Sequence, residues 1–151
     1  MSAAGSERQP NLQIMGQYVK DLSFENPGAP AGLSGNPSMD MGVDLKARPV
    51  GPDHYEVVFH LRVKASNEER TLFMLELAYA SLVRLSNVPE EAVQQLLLIQ
   101  VPHLMFPFAR RVVADVVRDG GMPPLVIEPI DFASLYQQRM TQAAQQPVGS
   151  A

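Results

Sequence analysis

Histidines and cysteines are the residue types that most often do chemistry in a chain of this size. The chain has three histidines and no cysteine, so it has no thiolate nucleophile and no cysteine-based zinc site. His54, His60 and His103 fall in a predicted turn, strand and helix, and none stands at the spacing that puts two ligands on one helix face. There is also no Gly-x-Ser-x-Gly nucleophile pattern, phosphate-binding glycine loop or dinucleotide fingerprint. We therefore expect a binding protein without cofactor or metal, and not an enzyme.

Composition favours a single globular domain in a reducing compartment. The chain has 151 residues, of which 46% are hydrophobic and 19% charged, as in an ordinary folded domain. Its net charge of -4 and scattered Lys and Arg argue against a nucleic-acid partner. We see neither an apolar leader at the N-terminus nor a run near the roughly 20 apolar residues of a membrane helix. These features predict a cytoplasmic protein that is neither exported nor inserted in a membrane.

The elements that would position any binding residues begin with strands. Residues 12–25 alternate between apolar and polar and predict a strand, followed by a loop from Asn26 to Ser38 with three prolines and three glycines. Residues 39–46 and 55–64 repeat the alternation around a Gly51-Pro52-Asp53 turn, so they predict an antiparallel pair. Residues 71–85 are apolar on both faces except at Glu76, which predicts a fourth strand covered on both sides.

Helices are predicted only after the strands. Pro89-Glu90-Glu91 is typical of a helix start, and Gly120-Gly121 of a helix end. Pro102 and Pro107 lie between them and predict a kink or a split. Asp131 is placed to cap a short final helix that runs to about residue 140. The expected fold is α+β, a four-stranded antiparallel sheet followed by a long kinked helix and a short C-terminal helix, in one domain at 11–140 with disordered tails at 1–10 and 141–151.

Three motifs in this order resemble those of the SecB family of protein-export chaperones. They are Tyr18-Val-Lys-Asp-Leu-Ser-Phe-Glu-Asn-Pro27, Leu104-Met-Phe-Pro-Phe-Ala-Arg110, and Gly120-Gly-Met-Pro-Pro-Leu125 running into Pro129-Ile-Asp-Phe-Ala-Ser-Leu-Tyr136. The resemblance extends from about residue 12 to 140, and the family's sheet-then-helices fold agrees with the elements predicted above. It implies a homotetramer, a dimer of dimers, that holds unfolded secretory precursors in the cytoplasm and passes them to the SecA ATPase.

The resemblance also implies a SecA contact on the solvent face of the sheet. The family's acidic contacts map onto Asp21, Glu25 and Glu76, with the apolar Met74 beside them. Residues 21 and 25, like 74 and 76, share a strand face because side chains alternate with a period of two. The alternative is that these acids are ordinary solubilising surface charges.

Two further sets of residues are implied by the resemblance. Leu75, Leu77 and Tyr79, on the opposite face of the same strand, would bear on assembly of the two dimers, with core packing as the alternative. Client binding is expected at apolar residues of the 26–38 loop, the connector and the final helix. These are Leu33, Met122, Leu125, Ile130, Phe132, Leu135 and Tyr136, and Phe132 and Leu135 have the helical spacing that core residues also show.

Two alternatives to an export chaperone remain open in the sequence. The first is a SecB-like chaperone dedicated to a single client, such as an antitoxin. The second is a small thioesterase of the hot-dog type, although that fold places its central helix before most of its strands.

Overall fold

The computed structural model describes residues 9–31, 36–68 and 70–145. Strands β1 (Asn11–Glu25), β2 (Ser38–Gly51), β3 (His54–Asn67) and β4 (Arg70–Ser86) form one antiparallel sheet in the order β1-β4-β3-β2. Helices α1 (Glu90–Gln95), α2 (Val101–Asp119) and α3 (Phe132–Gln145) follow, and a π-helical turn (Leu96–Gln100) joins α1 to α2. The strands precede the helices, as the α+β prediction required and unlike a hot-dog fold.

The helices cover one face of the sheet, called here the inner face. Among the described residues, no second layer covers the other face, called here the outer face. On β3, Val57, Phe59 and Val63 are at most 1% exposed on the inner face, whereas Arg62 and Lys64 point outward and are exposed. Glu56 and Val58 are exceptions, since they lie on the outer face and are buried. The predicted antiparallel pairing of β2 with β3 is confirmed along their whole length. The core therefore lies between the inner face and the helices.

Most residues of strand β4 are buried within the single chain. Leu75, Leu77 and Tyr79, the residues predicted for oligomer assembly, are 0%, 2% and 8% exposed within the single chain, in the same cluster as the buried residues of α2. On the outer face, Ala78 and Ala80 are 8% and 0% exposed, because a methyl group is easily covered by longer side chains on the neighbouring strands. The chain alone covers these five side chains, and the role of the two leucines and the tyrosine in assembly stays a prediction.

The two prolines of the long helical segment are accommodated without a break. Pro102 lies in the first turn of α2, directly after the π-helical turn, and Pro107 lies inside α2. A proline has no N–H to donate and crowds the preceding turn, so a wider π turn is a suitable way to admit Pro102. By length and composition, Glu90–Asp119 is apolar enough to cross a membrane, alone among the described helices. Its buried residues pack on the sheet as those of a core helix do.

The ends of the last two helices follow from local chemistry. Gly121, with φ of 90°, adopts the left-handed backbone that favours glycine after a helix end. Asp131 caps α3 as predicted, because its carboxylate accepts hydrogen bonds from the Ser134 N–H (3.0 Å) and hydroxyl (2.8 Å), which lower its pKa. α3 continues to Gln145, past the predicted end at residue 140, since the Ala and Gln residues there favour a helix. The rest of the predicted tails, residues 1–8 and 146–151, lie outside the described residues.

Candidate functional site

The four predicted SecA-contact residues lie on the outer face, at one end of β1 and β4. Glu25 pairs with Met74 across the two strands, and Asp21 is paired with Ala78, one step along from Glu76. The three acids are exposed and Met74 is half-buried. The structure thus brings together all four residues, and their role in binding remains a prediction.

Two aspartates that were not singled out in the sequence extend this cluster. Asp40 and Asp44 on β2 pair with Lys64 and His60 of β3, which places both on the outer face. The acidic face is defined here as Asp21, Glu25, Asp40, Asp44 and Glu76. The polar phase of the alternating run 39–46 was a signal that could have identified the two residues of β2.

Basic side chains only partly balance the acidic face. Arg62 lies 3.9 Å from Glu76, and both side chains are more than half exposed, so this ion pair is weak. A cleft of about 440 Å³ crosses the face between Asp21, Asp44 and Glu76. Lys20, His60 and Arg62 line the same cleft, and Arg139 lies 3.8 Å from Asp44. The exposed carboxylates that are left attract a basic protein surface.

A buried carboxylate lies at the other end of the outer face. Glu56 of β3 is 5% exposed and accepts hydrogen bonds from the Tyr18 hydroxyl (2.5 Å), Lys20 Nζ (2.8 Å) and Arg48 Nε (3.0 Å). The hydrogen bonds from Lys20 and Tyr18 are the main causes that lower the pKa of Glu56 to about 2. The same bond to Glu56 raises the pKa of Tyr18 to about 12. Nothing in the sequence alone had identified this network, because its members lie on three different strands.

A β-bulge in β1 places this network beside the acidic face. Val19 pairs with Tyr79 and Asp21 with Ala78, so Lys20 is an extra residue between two consecutive positions of β4. The bulge shifts the phase of the strand. As a result, Lys20, whose ammonium bonds to Glu56, and Asp21 are neighbours in sequence on the same face.

The predicted client-binding residues divide into core and half-exposed positions. Phe132 is 3% exposed, and its ring centroid is 6.0 Å from that of Phe59 and 6.2 Å from that of Phe106, so it is a core residue in the folded chain. Leu33 lies outside the described residues. The other predicted client contacts are partly accessible: Met122, Leu125, Ile130, Leu135 and Tyr136.

Further apolar surface lies near these positions and was missed in the sequence. Val126, in the connector between α2 and α3, is 69% exposed. Met39 and Met41, on the edge strand β2, are also exposed. Val43 of β2 and Leu135 of α3 line one small cleft of about 270 Å³, which also has polar and charged side chains, among them Asp44 and Arg139. An open apolar surface of this kind suits a polypeptide ligand whose sequence varies.

Two of the sequence motifs meet in the fold. The Asn26 side-chain amide donates to the Gly120 carbonyl oxygen at 2.9 Å, and a Cβ at Gly120 would lie 2.7 Å from the Phe24 ring. Glycine is therefore required at this close approach. The contact fixes the start of the 26–38 loop against the beginning of the connector.

The described histidines and acids do not form a metal cluster. Among these residues, no group of three or more His, Asp or Glu is placed to hold a metal ion. His54 Nδ1 lies 2.7 Å from the Pro52 carbonyl oxygen within its turn. The features that remain are a charged sheet face and a separate, half-exposed apolar surface, which define the class of polypeptide-binding α+β domains.

Comparison with known proteins gives the family within this class. The family model described as preprotein translocase subunit SecB matches residues 5–143. The chain is 50% identical over 139 residues to the protein-export protein SecB of Xanthobacter autotrophicus, covering 90% of this chain and 89% of that one. It is 49% identical over 144 residues to that of Maricaulis maris, covering 93% and 84%. The chain therefore belongs to the SecB family.

A solved structure with the same fold is a SecB-like chaperone of Mycobacterium tuberculosis in complex with a ChAD peptide from an antitoxin. The TM-score is 0.63 at 17% sequence identity, with 79% of this chain and 90% of that chain covered. At this identity, the similarity concerns the fold.

Proposed function

We propose that this chain is a cytoplasmic, homotetrameric holdase that binds unfolded secretory precursors and delivers them to SecA through its acidic face. Membership in the SecB family carries the coarser statement, which is that the chain is a chaperone of the Sec export pathway that binds client proteins and is not an enzyme. The observation on which the proposal rests is the identity of about 50% to protein-export proteins over nine tenths of the chain.

The outer face supports the SecA part of the proposal. Asp21, Glu25 and Glu76 lie together, exposed, on a sheet face that the chain's own helices leave open. Clustered charges of one sign accelerate association with a partner of opposite charge. This supports a basic surface of SecA as the group that docks here.

The connector and α3 support the client part of the proposal. Val126 and the half-exposed residues around it offer apolar area on the connector and on α3. Contacts of this kind tolerate many client sequences. The dedicated-antitoxin alternative is less well supported, because the relatives at about 50% identity are protein-export proteins, whereas the antitoxin complex shares only 17% identity.

An assembly role for Leu75, Leu77 and Tyr79 is proposed as indirect. These side chains pack within the chain's own core, so substitutions there would shift the helices that lie on the sheet. A shift of the helices would in turn alter any surface through which dimers meet.

The test is light scattering coupled to size-exclusion chromatography, applied to the protein alone, with an unfolded precursor, and with purified SecA. The wild-type protein is expected at the mass of four chains, and both partners are expected to shift it. Glu76→Lys should weaken SecA binding by about tenfold or more and leave precursor binding unchanged. Val126→Ser should weaken precursor binding and leave SecA binding unchanged.

Glu91→Lys is the matched control, because it makes the same charge change at an exposed residue of α1, away from the outer face. It should bind both partners as the wild type does. A wild-type protein that binds neither partner contradicts the proposal. Equal loss of SecA binding in the Glu76 and Glu91 variants would show that net charge, and not the acidic face, governs docking.

A further inference from the structure

Glu56 differs from every other acid of the described outer face because it is buried. At 5% exposed, it is the one buried acid among the residues that the structure describes. Both of its carboxylate oxygens accept hydrogen bonds, Oε2 from Tyr18 and Oε1 from Lys20 and Arg48. A carboxylate with three donors already in place is not a docking group for an external cation. Any effect of Glu56 on binding must therefore act through the side chains that it holds in place, which are those of Tyr18, Lys20 and Arg48.

The neighbour that matters is Lys20. The bulge puts Lys20 next to Asp21 on the outer face, and both side chains line the same cleft, with Asp44 opposite. An ammonium group there would pair with Asp21 and weaken the attraction of the acidic face for a basic partner, whereas Asp44 already has Arg139 Nη2 at 3.8 Å. In the structure, the Lys20 ammonium is instead 2.8 Å from Glu56 Oε1.

The fold favours the pair with Glu56 over a pair with Asp21. To reach Glu56 on β3, side chains from β1 must cross β4. Glu56 pairs there with Leu82, and the next outer-face residue of β4 toward Lys20 is Ala80, which pairs with Tyr18 and Val58 and has only a methyl group. The Glu56 side chain is 7% exposed, whereas Asp21 is exposed. A charged pair in a half-buried, hydrogen-bonded network is stronger than one between two solvated side chains.

We propose that Glu56 is a positioning residue of the acidic face, which holds Lys20 away from Asp21 and so keeps Asp21 free for a basic partner. The inference rests on the proposed function, since its readout is the binding of SecA. It assigns to the buried network a role in recognition as well as in strand packing.

The experiment measures SecA affinity by titration calorimetry at about 0.1 M salt for the wild type, Glu56→Gln, Lys20→Gln and the Lys20→Gln/Glu56→Gln double variant. Glu56→Gln releases Lys20 and should weaken binding roughly two- to fivefold. The double variant should restore affinity to within about twofold of the wild type. A purely structural role of Glu56 predicts no such rescue, because the double variant lacks two members of the network.

Arg48→Gln/Glu56→Gln is the matched control for net charge. It has the same charge as the rescuing double variant, but it removes the cation that reaches Glu56 from β2 and leaves Lys20, the neighbour of Asp21, free to pair with Asp21. It should stay as weak as Glu56→Gln. Equal rescue by both double variants, or rescue by neither, would overturn the inference.

Lys20→Gln alone gives a test that does not depend on how well the Glu56 variants fold. Because Lys20 is already held by Glu56, its removal should change SecA affinity by less than about twofold. A clear gain in affinity would mean that Lys20 screens Asp21 in the wild type, which contradicts the proposal. A wild-type protein that does not bind SecA would instead contradict the proposed function.

Discussion

The two faces of β4 use one strand in opposite ways. Its inner face carries Leu75, Leu77 and Tyr79, packed into the core beneath the helices. Its outer face carries Met74 and Glu76, followed by two alanines that lie under side chains from β1 and β3. The inner face stabilises the fold through buried apolar area. The outer face positions charged groups. Because the alanine side chains are short, Tyr18 and Lys20 of β1 can extend over β4 to Glu56 of β3.

The largest expected effect is a loss of stability, which should differ strongly between two adjacent residues of β4. Leu75→Ala should lower the free energy of unfolding by about 2–5 kcal/mol, because Leu75 is fully buried and truncation leaves a cavity. Met74→Ala, one residue away on the outer face, should lower it by less than about 1 kcal/mol. Urea unfolding followed by circular dichroism measures both. Similar losses in the two variants would mean that the outer face is also covered, as an assembled oligomer could bring about.

A smaller effect is expected from the buried network of the outer face. The pKa of Glu56 falls from 4.5 to about 2 on folding, so its stabilisation is fully present above pH 4.5 and is lost as the pH falls toward 2. Glu56→Gln should therefore be less stable than the wild type by roughly 1–3 kcal/mol at pH 7. The gap should narrow between pH 4.5 and pH 2. Denaturant unfolding curves of both proteins across this pH range measure the difference in stability. A difference that did not change with pH would show that the ionised form of Glu56 does not provide the stabilisation.

The smallest expected effect concerns the exposed pair of Arg62 and Glu76. Arg62→Gln should change the free energy of unfolding by less than about 0.5 kcal/mol, because both side chains are solvated at 3.9 Å separation. Freeing Glu76 should strengthen SecA binding roughly twofold at low salt, with the gain lost at high salt. Calorimetric titration at two salt concentrations measures this. A loss of affinity would show that Arg62 itself contacts the partner.

The sequence predicted most of the fold because the signals were local. Alternation in residues 39–46 and 55–64 fixed the faces of β2 and β3, and Asp131 showed where α3 begins. Asp21 and Glu25 were correctly placed on one face, since no bulge separates them. These are features that a period of two or a single capping residue determines.

What the sequence did not predict depends on contacts between distant residues. The apolar run of β4 predicts cover on both faces, but it does not reveal that the two alanines of the outer face are buried by side chains of neighbouring strands. Glu56 has the appearance of an ordinary polar position of an alternating strand until Tyr18 and Lys20 are brought beside it across β4. The bulge at Lys20 is not visible as a pattern, because an extra residue simply shifts the phase.

The bulges of β1 also determine where the chain tolerates a change of length. The fifteen residues of β1 pair with only thirteen residues of β4, Met74–Ser86. The two extra residues of β1 are Met15 and Lys20. A homologue that lacked Lys20 would keep every other side chain of β1 on its present face, and a regular ladder would close the gap. Loss of one residue between Asp21 and Phe24 has the opposite outcome. Either Asp21 would turn toward the helices, or Glu25 would turn toward the helices while Phe24 turned into water.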